Sequence, residues 1–246
     1  EEAKEKQKEW EQKYKVFKEG PTPRAVVIIP FKKDMNEVMK RRIFEQAVDI
    51  PLQNPHVDVS IHMNAEQLPK DPRDYTPWSK VTRVRNHILN DFHIDRFDYV
   101  FWLDADVVCY DPFILTRSIV LNPMGVTGPC VFVEGTDKFY DWCAFIKKGH
   151  GKEQIHNRML IKGRNVDVDP PYDKCSDTLV PMDCVGTMYI MPADAYADGT
   201  RHEDHPSFTD HMSICDRVTN MGRNVYMDRK MVSEHGDLPR YGEEWH

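Results

Sequence analysis

Hydrophobic positions in this chain follow two rhythms, one helical and one strand-like, and their order predicts alternating helices and strands. Residues 1–20 (EEAKEKQKEWEQKYKVFKEG) interleave acidic and basic side chains, are rich in helix formers, and stop at Gly20 before the Pro21-Thr22-Pro23 breaker. Trp10, Tyr14 and Phe17 recur there at helical spacing, so one face packs on something. The segment reads as a charged lead-in helix or stem, with a partner-binding coiled coil as the other reading. Residues 24–31 (RAVVIIPF) change the rhythm to a continuous apolar run rich in β-branched side chains, which predicts a strand buried on both faces and stopped by Pro30. A helix over 36–50 and a strand over 57–63 follow, and this βαβ order implies parallel pairing.

Residues 80–93 place Val81, Val84, Ile88 and Leu89 at the spacing of an amphipathic helix, with Arg83 and Arg85 on its other faces. The helix feeds a strand over 98–103. From 134 to 174 periodicity fades and charges multiply around the Pro170-Pro171 break, which reads as an insertion beside the site. A strand over 182–192, a helix over 208–221 closed by Gly222, and an extended segment over 225–232 complete the pattern. The expected fold class is α/β, a mixed and mostly parallel sheet flanked by helices, as one domain over 21–246 without internal repeats.

Composition narrows the partners. With 246 residues and 40% hydrophobic side chains the chain can fill a sizeable core. Thirty-three Lys and Arg against 40 Asp and Glu leave a net charge of −7, with the cations scattered, so neither nucleic acid nor an anionic membrane surface is an expected partner. An anionic substrate then needs a local basic patch or a metal. The six cysteines contain no CxxC pair, which speaks against a cysteine-built zinc site and leaves up to three disulfides or six thiols open. The chain opens on Glu1 and has no apolar run of membrane-spanning length, so the expectation is an ectodomain whose membrane anchor lies outside this sequence.

The chemistry concentrates in FDYVFWLDADVVCYDP, residues 97–112, where Asp104 and Asp106 follow directly on an apolar strand. In open α/β sheets the carboxyl ends of strands border the ligand crevice. Two carboxylates one residue apart repel, and a divalent cation removes that cost while its open positions accept phosphate oxygens. The plainer reading has Asp104 capping the strand and Asp106 starting a turn. Around them stand Arg83, Arg85 and Asn86 on the preceding helix, Asp111-Pro112 after the strand, and a lone His235-Gly236 near the end.

This constellation resembles the GT-A glycosyltransferases that use nucleotide sugars. It is most similar to the fungal mannosyltransferases of the Anp1, Van1 and Mnn9 type, through Arg83-Val84-Arg85-Asn86, residues 100–107, Asp183-Cys184-Val185-Gly186-Thr187, Phe208-Thr209-Asp210 and His235. The resemblance spans about residues 24 to 237.

The resemblance implies a metal-dependent glycosyltransferase. Asp106 and His235 would ligate Mn2+ or Mg2+, and Asp104 would reach the ribose or the metal through water. Ala105 and Gly186 would lie along the donor, and Pro30 and Phe31 would wall the nucleotide base, unless they are only a strand stop and a core aromatic. Arg83, Arg85 and Asn86 would position the diphosphate or brace the turn that bears the aspartates. Asp210 would be the catalytic carboxylate facing the acceptor, as a base in an inverting enzyme or an orienting group in a retaining one; a helix N-cap is its other reading. The donor would be GDP-mannose or a UDP-sugar and the acceptor a glycan or glycoprotein. The setting would be the Golgi lumen, as a type II ectodomain with a complex formed through the first helix, or else a cytosolic or viral enzyme. Two other readings stand: a haloacid dehalogenase-like phosphatase using Asp104 as nucleophile, and a non-catalytic glycosyltransferase-like subunit.

Overall fold

The structure is a computed structural model that describes residues 2–31, 35–65, 68, 71, 77–136, 146–147, 179–203 and 211–236. Its elements are α1 (Glu2–Glu19), β1 (Arg24–Pro30), α2 (Glu37–Gln53), β2 (Asp58–Asn64), α3 (Pro77–Asp91), β3 (Tyr99–Leu103), β4 (Val107–Tyr110) and α4 (Ile114–Leu121). They continue with β5 (Val126–Val133), β6 (Ile146–Lys147), β7 (Leu179–Cys184), β8 (Met188–Pro192), α5 (His211–Asn220) and β9 (Val225–His235). Short 3-10 turns at Ile94–Arg96 and Ala193–Gly199 precede β3 and follow β8.

The strands join in the order β2-β1-β3-β8-β5-β9-β7-β6, and β4 pairs with β9 off this path. β1 runs parallel to β2 and β3, and β5 parallel to β9, whereas β8 runs antiparallel to both β3 and β5. The sheet is therefore mixed and mostly parallel by paired residues, in agreement with the α/β class the sequence pattern predicts. No helix among the described residues is long and apolar enough to cross a membrane.

Alternation along the strands builds a core on each face of the sheet. Val26 and Ile28 of β1, with Val100 and Trp102 of β3, face α3 and α5 through Ile88, Leu89, Ile214 and Val218. Ala25, Val27 and Ile29, with Phe101 and Leu103, face α2 and α4 through Met39, Ile43, Ile114 and Leu115. That two-sided burial is why these strands read as continuous apolar runs.

Local chemistry sets the helix ends. Asn36 caps α2 by accepting the Val38 N–H at 2.7 Å, and the helix runs past residue 50 through Pro51 to Gln53. Pro51 lies in the last turn, and there Asn54 takes over: its amide donates to the carbonyls of Ile50 and Pro112 while its oxygen accepts from Thr116. A buried asparagine thereby ties α2 to α4.

One difference from the sequence pattern matters for the site. The single strand expected over 182–192 is two strands, broken where Thr187 adopts φ 59° after Gly186. β7 turns away to pair with β9, and β8 enters the sheet beside β3. The first helix, in turn, uses its aromatic face on its own domain: Trp10 and Tyr14 both meet Phe113 edge-on, and Phe17 packs on the α2/α4 core. Of the insertion expected over 134–174, residues 137–145 and 148–174 lie outside the described residues.

Candidate metal and donor site

β3 delivers the two aspartates to the carboxyl end of the sheet. The turn closes with the Val107 N–H on the Asp104 carbonyl at 3.1 Å, and β4 then carries the chain across to β9 with Val107 opposite His235. The end of β9 is pinned from both sides: Glu134 N–H donates to the His235 carbonyl at 2.9 Å, and Gly236 N–H donates to the Asp106 carbonyl at 2.7 Å. Two distant parts of the sequence thus meet, with His235 Nε2 3.0 Å from Asp106 Oδ2.

The His235 side chain is 4% exposed and that of Asp106 21%, so the pair is sheltered yet open on the aspartate side. His235 Nδ1 lies 3.0 Å from the Gly236 carbonyl. In a neutral ring that donates its Nδ1–H there, the Nε2 lone pair faces the carboxylate oxygen. Two acceptors at such a distance repel, so a positive charge belongs between them, either a proton or a metal ion. Burial pulls the His235 pKa down, but the Asp106 carboxylate, followed by Asp104 and the Gly236 carbonyl, outweighs it and leaves the net shift upward.

One carboxylate oxygen and one imidazole nitrogen, the ring anchored through its other nitrogen, suit a divalent ion such as Mn2+. Among the described residues no three His, Cys, Asp or Glu side chains form a set able to hold a metal. Two protein ligands leave the remaining positions to a ligand or to water.

Asp104 points elsewhere. It shares the parity of Trp102 and faces α3, where Arg85 Nη2 donates to its Oδ1 at 2.6 Å. The Arg85 side chain is 1% exposed, its guanidinium stands 5.7 Å from the Trp102 ring, and its Nη1 reaches the His211 ring nitrogens at 3.2 and 3.4 Å. The Asp104 N–H donates to the Thr187 carbonyl at 2.9 Å, so the break between β7 and β8 fixes the aspartate's backbone.

The other sequence candidates occupy varied positions. Asn86 clasps the backbone of His202, donating to its carbonyl and accepting from its N–H, both at 2.8 Å. Ala105 is buried among the α2/α4 core residues, and Gly186 is buried at the strand break. Pro30 ends β1 half-buried, while Phe31 packs partly on the α2/α4 core and donates its N–H to the Asn64 carbonyl at 2.9 Å. Arg83 is half-buried on α3. Asp210 lies outside the described residues, which resume at His211.

Sequence reasoning assigned no role to the polar residues beneath the turn. Trp102 Nε1 donates to the Tyr196 hydroxyl at 2.8 Å, and that hydroxyl lies 3.0 Å from His202 Nε2. Tyr189 meets the His211 ring edge-on at 5.4 Å. An isolated histidine or tyrosine carries no motif, so only the adjacency of His211 to the candidate Asp210 could have drawn attention to it.

No protein-family model and no curated protein matches the sequence. Among solved structures, the chain is similar to GalNAc-T7 crystallised with UDP, GalNAc and Mn2+, at 9% identity and a TM-score of 0.47 over 87% of this chain and 43% of that one. The present chain thus spans less than half the length of that protein. It is also similar to CMP:2-keto-3-deoxy-manno-octonic acid synthetase complexed with CTP, at 12% identity and a TM-score of 0.41 over 87% of this chain and 90% of that one. A third similar structure, described as a nucleotide-diphospho-sugar transferase from Desulfovibrio desulfuricans G20, has 12% identity and a TM-score of 0.37 over 87% of this chain and 81% of that one. Likeness at this level concerns the layout of the backbone and assigns no ligand.

Proposed function

We propose that this chain is a metal-dependent glycosyltransferase of the GT-A type, moving a sugar from a nucleotide-sugar donor to a glycan hydroxyl. The observation that carries the reading is the meeting of His235 Nε2 and Asp106 Oδ2 at 3.0 Å, at the carboxyl end of β3. A carboxylate and an imidazole held by two strand ends suit a divalent cation, which when bound would neutralise the diphosphate of the donor. Asp106 and His235 hold that cation, and Arg85 fixes the Asp104 carboxylate at the start of the same turn. Pro30 and Phe31, at the end of the neighbouring strand β1, flank the base side of the donor, and Asp210 serves the acceptor. GDP-mannose is the first donor to test and a UDP-sugar the second.

A phosphatase needs a carboxylate available as nucleophile, whereas Oδ1 of Asp104 receives a charge-assisted hydrogen bond from a buried guanidinium, which lowers its nucleophilicity. Calorimetric titration of GDP, UDP and their mannose, glucose, galactose and GalNAc conjugates, each with Mn2+ and with EDTA, tests the proposal. Binding of one nucleotide family in Mn2+ and its loss in EDTA is the expected result. Binding indifferent to EDTA, or none at all, contradicts it.

A further inference from the structure

β2 stands at one end of the sheet: it pairs with β1, and among the described residues no strand pairs with its other side. Asp58 N–H donates to the Pro23 carbonyl and Phe31 N–H to the Asn64 carbonyl, both at 2.9 Å, so the even-numbered residues turn their backbone groups toward β1. Val59, Ile61 and Met63 therefore direct theirs outward. An open edge is a template for another strand, and proteins blunt it with proline, lysine or a bulge. β2 (DVSIHMN) has neither proline nor lysine, and its register with β1 is unbroken.

The surface beside this edge is apolar. Val59 and Met63 pack partly on the α2/α4 core, and Ile61, of the same parity, lies on the same face and is 37% exposed. One flank of α2 reaches toward the middle of the sheet, where Gln46 donates to the Val108 carbonyl of β4 and Arg42 pairs with Glu134 just after β5. At about 100° per residue, Phe44 and Val48 occupy the opposite flank, on the side of the β2 edge, and are 59% and 40% exposed.

We propose that the outer side of β2 is a dimerisation edge, occupied by β2 of a second copy of this chain running antiparallel about a two-fold axis at Ile61. In that register the outward residues meet. Ile61 faces its own copy and Val59 faces Met63 across the axis, so each pair exchanges two backbone hydrogen bonds. Among the registers that match outward residues, this one pairs the whole strand, residues 58 to 64. The three pairs put apolar side chains together on the α2 face, continuous with Phe44 and Val48 of both copies. On the other face Asp58 falls opposite Asn64 and Ser60 opposite His62, so no like charges meet.

Sedimentation equilibrium of the full chain from about 1 to about 100 µM, a range in which mass action fills a weak dimer, tests this. Wild type is expected to approach twice the mass of one chain. Ile61→Lys sets two ammonium groups face to face on the axis, and Phe44→Glu places a carboxylate in the apolar flank. Each is expected to weaken self-association about tenfold or more. Both side chains are exposed in the single chain, so both variants are expected to fold, as thermal melts check. A wild-type chain that stays monomeric, or a dimer that either substitution leaves intact, overturns the proposal. A monomer that instead floats with neutral phospholipid vesicles overturns it too, and assigns the patch to a membrane surface. Should Ile61→Lys fail to fold, cysteine cross-linking decides. Paired residues of this kind stand with Cα atoms about 5.5 Å apart, within disulfide reach. Under mild oxidation Ile61→Cys is expected to form a covalent dimer above the level of the unsubstituted chain, and Asp58→Cys is not. An Ile61→Cys variant that stays uncross-linked, or one that cross-links no better than Asp58→Cys, overturns the two-fold at Ile61.

Discussion

His235 Nε2 and Asp106 Oδ2 lie 3.0 Å apart, brought together because β4 leaves the aspartate turn and pairs with the end of β9. If the two side chains share a divalent ion, each is needed for it. Asp106→Ala and His235→Ala are each expected to lower Mn2+-dependent nucleotide binding by about 100-fold or more, the upper end of losses seen even for groups one layer outside a metal. Thermal melting is expected to show both variants folded. Near-normal binding in either contradicts the assignment.

A second buried pair concerns stability. Arg117 Nε donates to Asp228 Oδ2 at 2.5 Å and Nη2 to Oδ1 at 3.3 Å, with Asp228 fully buried in β9. Asp228→Ala removes the buried counterion of the Arg117 guanidinium and is expected to cost about 3 to 5 kcal/mol in urea unfolding. Replacing both partners by apolar residues of similar volume, as in R117M with D228L, is expected to recover most of that loss. A double variant no better than the single one contradicts the account.

The lead-in helix contributes through one side chain above all. Trp10 stacks on Tyr14 at 5.4 Å, meets Phe113 edge-on at 6.1 Å, and covers the Arg117 guanidinium at 5.3 Å. Trp10→Ala is expected to destabilise the fold by about 1.5 to 4 kcal/mol, the range of two aromatic pairs plus one cation–π contact. Metal and nucleotide binding are expected to stay as in wild type. An unchanged melting temperature contradicts the docking of α1 seen here.

Acid sensitivity follows from two carboxylates at the opposite end of β3. Burial alone would raise the pKa of Asp98, but the Arg24 N–H at 2.8 Å and the Arg24 guanidinium lower it below its ordinary value. The paired bonds from Arg223, at 2.6 and 2.7 Å, lower that of Asp194. A carboxylate with a depressed folded pKa stabilises the fold fully above its unfolded value and loses that contribution as pH falls through the folded one. The loss therefore begins near about pH 4 and deepens below it. Both groups are half-exposed, so the effect is modest. Asp98→Asn with Asp194→Asn is expected to flatten the fall of the urea midpoint over this window, and an unchanged slope contradicts the assignment.

Much of the fold was legible where one residue type repeats a single message. The run Ala25–Ile29 is apolar throughout because both faces of β1 are covered, and Asp104 and Asp106 stand out because they end such a run. Trp10, Tyr14 and Phe17 announced a packed face without naming Phe113 as its partner, since a periodicity carries no address. The break at Gly186 and Thr187 was hidden because the residues on both sides favour strands and only the competition of β9 and β3 for them divides the segment. The segment 107–133 showed no pattern strong enough to assign β4, α4 or β5. For the site, Arg85 was legible as a brace or a diphosphate ligand, and the choice needed the distance to Asp104. The contact of His211 with Arg85 was not legible, because it joins side chains from two helices.

The most direct measurement is anomalous diffraction at the manganese edge from crystals grown with Mn2+ and GDP or UDP. The account predicts one manganese peak within bonding distance of both the Asp106 carboxylate and His235 Nε2, with nucleotide diphosphate oxygens completing its shell and Asp104 still on Arg85. A manganese ion bound elsewhere, or nucleotide bound with His235 and Asp106 still directly paired and no metal between them, contradicts it.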